Sequence, residues 1–319
     1  MNDRPRAVAV TGAAGYVGSR LIEQLAEVEE LDTVLAIDAK PLRRPVHNIK
    51  AARVDVAEPM DALLHDWRIE TVVHLAFSYP TLLDRRDPIT KQQANLEALG
   101  RVLQSCRYAR VSNFVYLSSH TVYGPHRENP VPITESTPVR PLEDFPYGMD
   151  KARGEELIAR FATENPRVGV TVLRSCVVLG PTSGNRVASS LFRPVLLGVW
   201  GEDPPWQFVH EDDLANVLAL TVTHPRPGTY NVAGNGVISY SELVRTAGAR
   251  LFKLNSGLAY AATHLSWKFG MQKEAPAGAL DFVRYPIVMS TGRLRKETGF
   301  RFRYTSREAL DSYLSGVLG

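Results

Sequence analysis

The stretch Thr11-Gly12-Ala13-Ala14-Gly15-Tyr16-Val17-Gly18 stands where an apolar run gives way to a helical pattern. Ahead of it, Ala7-Val8-Ala9-Val10 reads as a short buried strand. Behind it, Val17, Leu21, Ile22 and Leu25 recur at helical spacing. Glycines at such a junction let the backbone turn tightly and approach a pyrophosphate. The N-terminus of the following helix supplies N–H groups and positive potential. The spacing is Gly-x-x-Gly-x-x-Gly rather than Gly-x-Gly-x-x-Gly, so the dinucleotide fingerprint is met in mechanism, not in letter. Gly12, Ala14, Gly15, Tyr16, Val17 and Gly18 are therefore expected to cradle a dinucleotide. A tight turn without a ligand is the plainer alternative.

The next apolar run, Thr33-Val34-Leu35-Ala36-Ile37, ends in Asp38, twenty residues after Gly18. A carboxylate at that distance accepts from both hydroxyls of an adenosine ribose and repels a 2′-phosphate. This favours NAD over NADP, although Arg43 and Arg44 follow closely and are able to neutralise such a phosphate. Val54-Asp55-Val56 is read as closing a further strand, where Asp55 and Val56 meet the adenine; for Asp55 a helix cap or a solvent-facing acid is an equal alternative.

Strands and helices go on alternating through Thr71-Val72-Val73-His74-Leu75-Ala76, a helix over 89–108, Asn113-Phe114-Val115-Tyr116-Leu117, a helix from Tyr147, and Gly169-Val170-Thr171-Val172-Leu173. Near-continuous apolar strands in βαβ order mean a Rossmann-type doubly wound parallel sheet covered by helices. After residue 177 the rhythm breaks, though Gly228-Thr229-Tyr230-Asn231-Val232 looks like a strand returning to the sheet. The expected division is a dinucleotide-binding domain over 1–176, with a returning strand near 228–233, and a smaller interleaved substrate lobe over 177–319.

In 319 residues of 44% hydrophobic content, a net charge of +3 argues against a nucleic-acid surface, and Arg85-Arg86 reads as solvated loop charge. Cys106 and Cys176 make neither a disulfide framework nor a metal cluster, which fits a reducing compartment and no metal. There is no membrane-length apolar stretch, and Met1-Asn2-Asp3-Arg4-Pro5 has no signal-peptide core, so a cytoplasmic protein acting on a small molecule is expected.

Tyr147-Gly148-Met149-Asp150-Lys151 sets a phenol and an ammonium four residues apart, on one helix face. A free phenol is a poor base at neutral pH, and a neighbouring cation favours its ionised form. The pair suits proton exchange with a hydroxyl while a nicotinamide moves the hydride. Ser119 follows a strand at the sheet's carboxyl edge, where open parallel sheets bind ligands. A packed tyrosine beside a solvated lysine is the competing reading of the pair taken alone.

Together these motifs resemble the extended short-chain dehydrogenase/reductases of the NAD-dependent epimerase/dehydratase kind, over nearly the whole chain. The resemblance implies that Tyr147 is the acid/base, that Lys151 binds the nicotinamide ribose and tunes Tyr147, and that Ser119 polarises the substrate oxygen. It further implies that Leu75 and Ala76 pass the nicotinamide ribose and that Asn95 helps hold the active-site backbone. Leu173-Arg174, Gly180-Pro181 and Phe208-Val209-His210-Glu211-Asp212-Asp213-Leu214 match markers of the second lobe. By the same analogy, the helices near 89–108 and 148–163 would pair in a homodimer.

Departures from the family pattern bear on the substrate. Trp206 stands where sugar-nucleotide epimerases carry a phosphate-gripping arginine, and Val177 where they commonly carry asparagine. A diphosphate needs charge-assisted donors; Arg186, Arg193 and Arg284 are candidates for a differently placed clamp. Phe192, Trp200, Trp206, Trp267 and Phe269 either pack the small lobe or line an apolar pocket. Phe77, His120, Thr121, Arg174, Val177 and Trp206 are the candidate substrate contacts. His120 and Thr121 occupy the positions of a dehydratase's acidic pair, so dehydration ranks last. The leading expectation is a nucleotide-sugar epimerase-like enzyme, followed by a net ketoreductase or dehydrogenase on a bulkier substrate. A cofactor-binding regulator without turnover is the third reading.

Overall fold

The computed structural model describes residues 6–78, 88–182, 193–268 and 277–318. Met1–Pro5, Arg85, Arg86, Arg186, Phe192 and Phe269 lie outside the described residues, as does the side chain of Trp267. The chain opens with β1 (Ala7–Thr11), α1 (Tyr16–Leu25), β2 (Thr33–Asp38), β3 (Ile49–Arg53), α2 (Asp61–Asp66), β4 (Thr71–His74), α3 (Pro88–Tyr108) and β5 (Asn113–Ser119). It continues through α4 (Pro146–Glu164), β6 (Gly169–Ser175), β7 (Val177–Leu179), β8 (Val195–Val199), β9 (Pro205–Trp206), β10 (Phe208–His210), α5 (Glu211–Thr223) and β11 (Gly228–Val232). The remainder is β12 (Ile238–Ser239), α6 (Tyr240–Thr246), β13 (Arg250–Leu254), α7 (Ser256–Lys268), α8 (Gly292–Thr298) and α9 (Ser306–Leu318).

Among the described residues seven strands form one sheet in the order β11-β6-β5-β4-β1-β2-β3. The β1–β2, β1–β4, β2–β3 and β4–β5 pairs are parallel. Strand order reverses between β1 and β4, whose last residues pair as Thr11↔His74. That is the switch point at which doubly wound sheets receive ligands. The fold is thus the Rossmann-type α/β architecture expected. β1 is buried throughout, because helices cover both of its faces.

One strand is displaced from its expected place. The sequence suggests Val54–Val56, but pairing runs from Ile49 to Arg53 and stops at Asp38↔Arg53, where β2 ends. β3 is an edge strand with exposed positions and no clean alternation, so its apolar flank misleads. Val54 and Val56 pack on the core just beyond it.

Contacts divide the chain into two compact units. One is drawn from residues up to Ser118, Arg153–Arg174 and Asp212–Tyr230; the other from Ser119–Ala152, Ser175–Glu211 and the chain from Asn231 on. The first unit has a core of Leu35, Ile37, Val72, Leu103, Phe114 and their neighbours. The second has three two-stranded pairings, β7–β10 and β8–β13 parallel and β9–β12 antiparallel. They surround a core of Leu179, Phe208, Tyr240, Leu243 and Leu310. No described helix is long and apolar enough to cross a membrane.

Candidate active site

The glycine turn is built by close approach. Gly12 has φ +73°, and a Cβ there would lie 2.6 Å from the Ala76 nitrogen. Only glycine meets both conditions. A Cβ at Gly18 would collide with the Gly12 carbonyl, so α1 enters tightly against its own turn. Gly15 caps α1 with no side-chain hydrogen bond. A helix start without a side-chain cap is compatible with an anion site.

Asp38 lies at the end of β2, beside this turn. One carboxylate oxygen accepts from the Ala14 N–H at 3.0 Å and the other from the Lys40 N–H at 2.9 Å. Leu75 donates its N–H to the Thr11 carbonyl at 3.1 Å, which brings the Leu75–Ala76 segment against the turn. Asn95 on α3 binds Ser78 at both backbone groups, accepting from its N–H and donating to its carbonyl, each at 3.0 Å. Phe77 lies within this clamped segment. Asp55 is exposed and accepts from the Ala57 N–H at 3.0 Å, in a local turn.

Ser119 closes β5 and caps the short 3-10 turn His120–Tyr123. Its Oγ accepts from the Thr121 N–H at 3.2 Å and from the Thr121 hydroxyl at 3.0 Å. Both lone pairs are thereby occupied, and the Ser119 hydroxyl is left as a donor. His120 turns Nδ1 toward the Ser175 carbonyl at 3.2 Å, which places the proton on Nδ1. Desolvation pushes its imidazole down to about 4, against the opposing pull of that carbonyl.

Tyr147 and Lys151 occupy the first turns of α4, which begins with Pro146, a residue suited to a helix start. The Lys151 Nζ lies 5.9 Å from the Tyr147 ring centroid, and Lys151 is buried. Between them Gly148 lets the helix rest on the serine turn, since a Cβ there would lie 3.0 Å from the Thr121 carbonyl. The structure thus brings Ser119, Thr121, Tyr147 and Lys151 into one neighbourhood.

The candidate substrate residues have more varied surroundings. Arg174 is buried and bonded to Glu155. Val177 is buried in β7. Trp206 stacks on Tyr240 at 5.9 Å and also lines a small recess of about 20 Å³ with His120, Pro205, Gln207, Phe282, Tyr285 and Ile287. Of the candidate clamp arginines, Arg193 is exposed. Arg284 donates to the Tyr260 hydroxyl at 2.9 Å and lies 3.9 Å from Asp281 and 4.0 Å from Glu202. Sequence reasoning missed Glu155, Phe282 and Tyr285. Only Glu155 left a signal, standing four residues beyond Lys151 on the same helix face.

The model of the NAD dependent epimerase/dehydratase family matches residues 8–233. The chain belongs to that family. A UDP-glucose 4-epimerase of Erwinia amylovora is 26% identical, over 68% of this chain and 73% of its own. An uncharacterized protein of Mycobacterium tuberculosis is 26% identical, over 98% of this chain and 84% of its own. Among solved structures, MoeE5 in complex with UDP-glucuronic acid and NAD is 25% identical, with a TM-score of 0.75 over 98% of this chain and 99% of that one. The UDP-glucose 4-epimerase of Thermus thermophilus, in complex with NAD, is 22% identical, with a TM-score of 0.74 over 98% and 99% of the two chains. The family member described here is an NAD-dependent enzyme of the extended short-chain dehydrogenase/reductase type. The glycine turn, the uncapped start of α1 and the acidic end of β2 fit that cofactor.

Proposed function

We propose that the enzyme epimerises a secondary alcohol carbon of a sugar carried on a nucleotide. The observation that carries this reading is the donor state of Ser119, set by two hydrogen bonds from Thr121 on a turn that supports Tyr147 and Lys151. The Erwinia amylovora relative and MoeE5 support the substrate class.

NAD, when bound, supplies the acceptance and return of a hydride at one carbon. The chain's own groups handle the proton. Ser119 donates to the reacting oxygen and holds it in place. Tyr147 takes the proton from that oxygen and returns it, and the Lys151 cation beside its ring favours the ionised phenol. Gly12, Gly15 and Gly18 with the start of α1 would hold the pyrophosphate, and Asp38 the adenosine ribose. Leu75 and Ala76 would border the nicotinamide ribose. In this reading 1–176 serve the cofactor and 177–319 mainly the substrate.

The test is a panel of UDP-, GDP- and dTDP-sugars followed by NMR. Epimer formation without net reduction of the cofactor is expected. A second reading, net reduction of a bulkier ketone that carries no nucleotide, is favoured by one observation. Trp206 and Val177 provide an indole and an isopropyl group where a diphosphate needs charged donors. Stoichiometric NADH oxidation by such a ketone, with no nucleotide sugar bound, would replace the first reading by the second.

A further inference from the structure

Two segments of the second unit that meet as β8 and β13 share a one-sided composition. Residues 193–201 and 245–268 contain five lysines and arginines and no aspartate or glutamate, whereas the whole chain carries only +3. The remainder of the chain is therefore net acidic.

Apolar side chains stand open in the same segments. The parallel register pairs Val195 with Arg250 and Leu197 with Phe252, so these four side chains share one face of the strand pair. Leu197, Val199 and Leu254 pack there with Ala259 of α7, while Val195 and Phe252 are more than half exposed. Trp200, just past β8, is 71% exposed. Its indole Nε1–H already donates to the Lys253 carbonyl at 2.7 Å, so what the ring shows outward is hydrocarbon.

The helix α7 covers that face and repeats the pattern. From Ser256 to Trp267 it has no aspartate, glutamate, lysine or arginine. Ala259 and Thr263 form its buried side; Leu258, Ala261, Ala262 and Leu265 recur at helical spacing on its exposed side. A surface helix of a globular protein turns polar and charged residues outward. This one turns leucines and alanines, and exposed apolar surface of that kind marks an interaction site.

The charges around the face select the partner. Arg193 and Arg250 are both exposed where the two strands begin, joined there by the Arg250 N–H to the Pro194 carbonyl at 2.9 Å. The nearest acids in sequence are engaged. Asp203 accepts from the Ser241 N–H and hydroxyl, each at 2.7 Å, and Glu202 lies 4.0 Å from Arg284. A second copy docked about a two-fold axis would bring cation against cation. A nucleic acid would meet the arginines but give the leucines no apolar counterpart. An anionic bilayer answers both, with headgroups for the arginines and an interface for indole, phenyl and leucine side chains.

We propose that this face of β8, β13 and α7 docks on an anionic lipid bilayer. Trp200, Phe252, Leu258 and Leu265 enter the interface, and Arg193 and Arg250 meet the headgroups. The contact is peripheral, with α7 lying on the surface and not crossing it.

The test is flotation of the NAD-loaded full chain with vesicles of phosphatidylcholine, alone or mixed with phosphatidylglycerol. The mixed vesicles should bind at least about tenfold more tightly, and added salt should weaken that binding. Brominated acyl chains should quench tryptophan fluorescence, and Trp200→Phe, which keeps an aromatic ring, should remove most of the quenching while flotation persists. Leu258→Glu combined with Leu265→Glu should lower vesicle affinity at least about tenfold with an unchanged melting temperature, since both positions are exposed. Arg193→Gln with Arg250→Gln should erase the preference for mixed vesicles. Absence of flotation overturns the proposal, as does equal affinity for the two vesicle types or undiminished flotation of the folded leucine variant. Tighter binding to duplex DNA than to the mixed vesicles, or a lipid-free dimer that the leucine variant dissolves, would assign the face to another partner. None of these readouts depends on the sugar reaction.

Discussion

Glu155 holds the guanidinium of Arg174 in a two-pronged grip, taking Nε at 3.0 and 3.1 Å and Nη2 at 2.6 Å. The side chains are 11% and 8% exposed, and the Ser118 hydroxyl donates to the same carboxylate at 2.5 Å. One acidic residue thus ties α4 to the ends of β5 and β6. Removing either charge strands the other in a desolvated place. Glu155→Gln should cost about 3 kcal/mol of stability, read as a lower urea midpoint with an unchanged slope. Arg174→Lys should not rescue a two-pronged contact. Wild-type stability in Glu155→Gln would show that the pair contributes nothing net.

Tyr147→Phe keeps the ring and removes the hydroxyl. Turnover should fall about a hundredfold or more, with NAD affinity largely kept. Lys151→Ala should lower both turnover and NAD affinity. Steady-state kinetics with calorimetric cofactor titration separates the two outcomes, and wild-type turnover in Tyr147→Phe would refute the proton-transfer role.

NAD should bind at least about tenfold more tightly than NADP, because a 2′-phosphate would meet the Asp38 carboxylate. Arg44, a cation that follows Asp38 closely in sequence, gives Nε to Glu23 at 3.0 Å and is thereby occupied. Parallel titrations of the two cofactors decide the matter; equal affinities would remove Asp38 from the proposed ribose site.

Acid should weaken the fold through His120. Its ordinary value of 6.5 falls to about 4 in the folded chain, so the unfolded chain takes up a proton first as pH drops. The contribution is intact above pH 6.5, is lost progressively toward pH 4, and changes no further below. Urea titrations at several pH values should show His120→Asn with a flatter dependence in that window. Identical slopes for the two proteins would argue against a desolvated imidazole.

The first half of the chain was legible because buried parallel strands are written as unbroken apolar runs, and glycine spacing marks the turn between β1 and α1. The edge strand β3 is displaced from its expected place because three of its five residues are exposed, where pattern carries little information. The second unit was hardly legible. β9 and β12 are two residues long, and what fixes Trp206 is its stacking on Tyr240, a contact across thirty-four positions. Tyr147 and Lys151 showed themselves by helical spacing. Glu155 shares that spacing with Lys151, but a glutamate on a helix ordinarily reads as solvent charge until Arg174 is seen beside it. The far wall of the recess beside Trp206, Phe282 and Tyr285, comes from a segment with no periodic signature at all.

The bond from Ala14 N–H to Asp38 has a bearing on redesign. The side chain that would discriminate between cofactors also pins the middle of the glycine turn. Any substitution meant to admit a phosphorylated ribose therefore loosens the turn that must hold the pyrophosphate of either cofactor. Retargeting this enzyme is consequently a two-site problem, in which a new anchor for Ala14 must be supplied together with the new charge. A library that varies position 38 alone should yield variants that lose NAD well before they gain NADP.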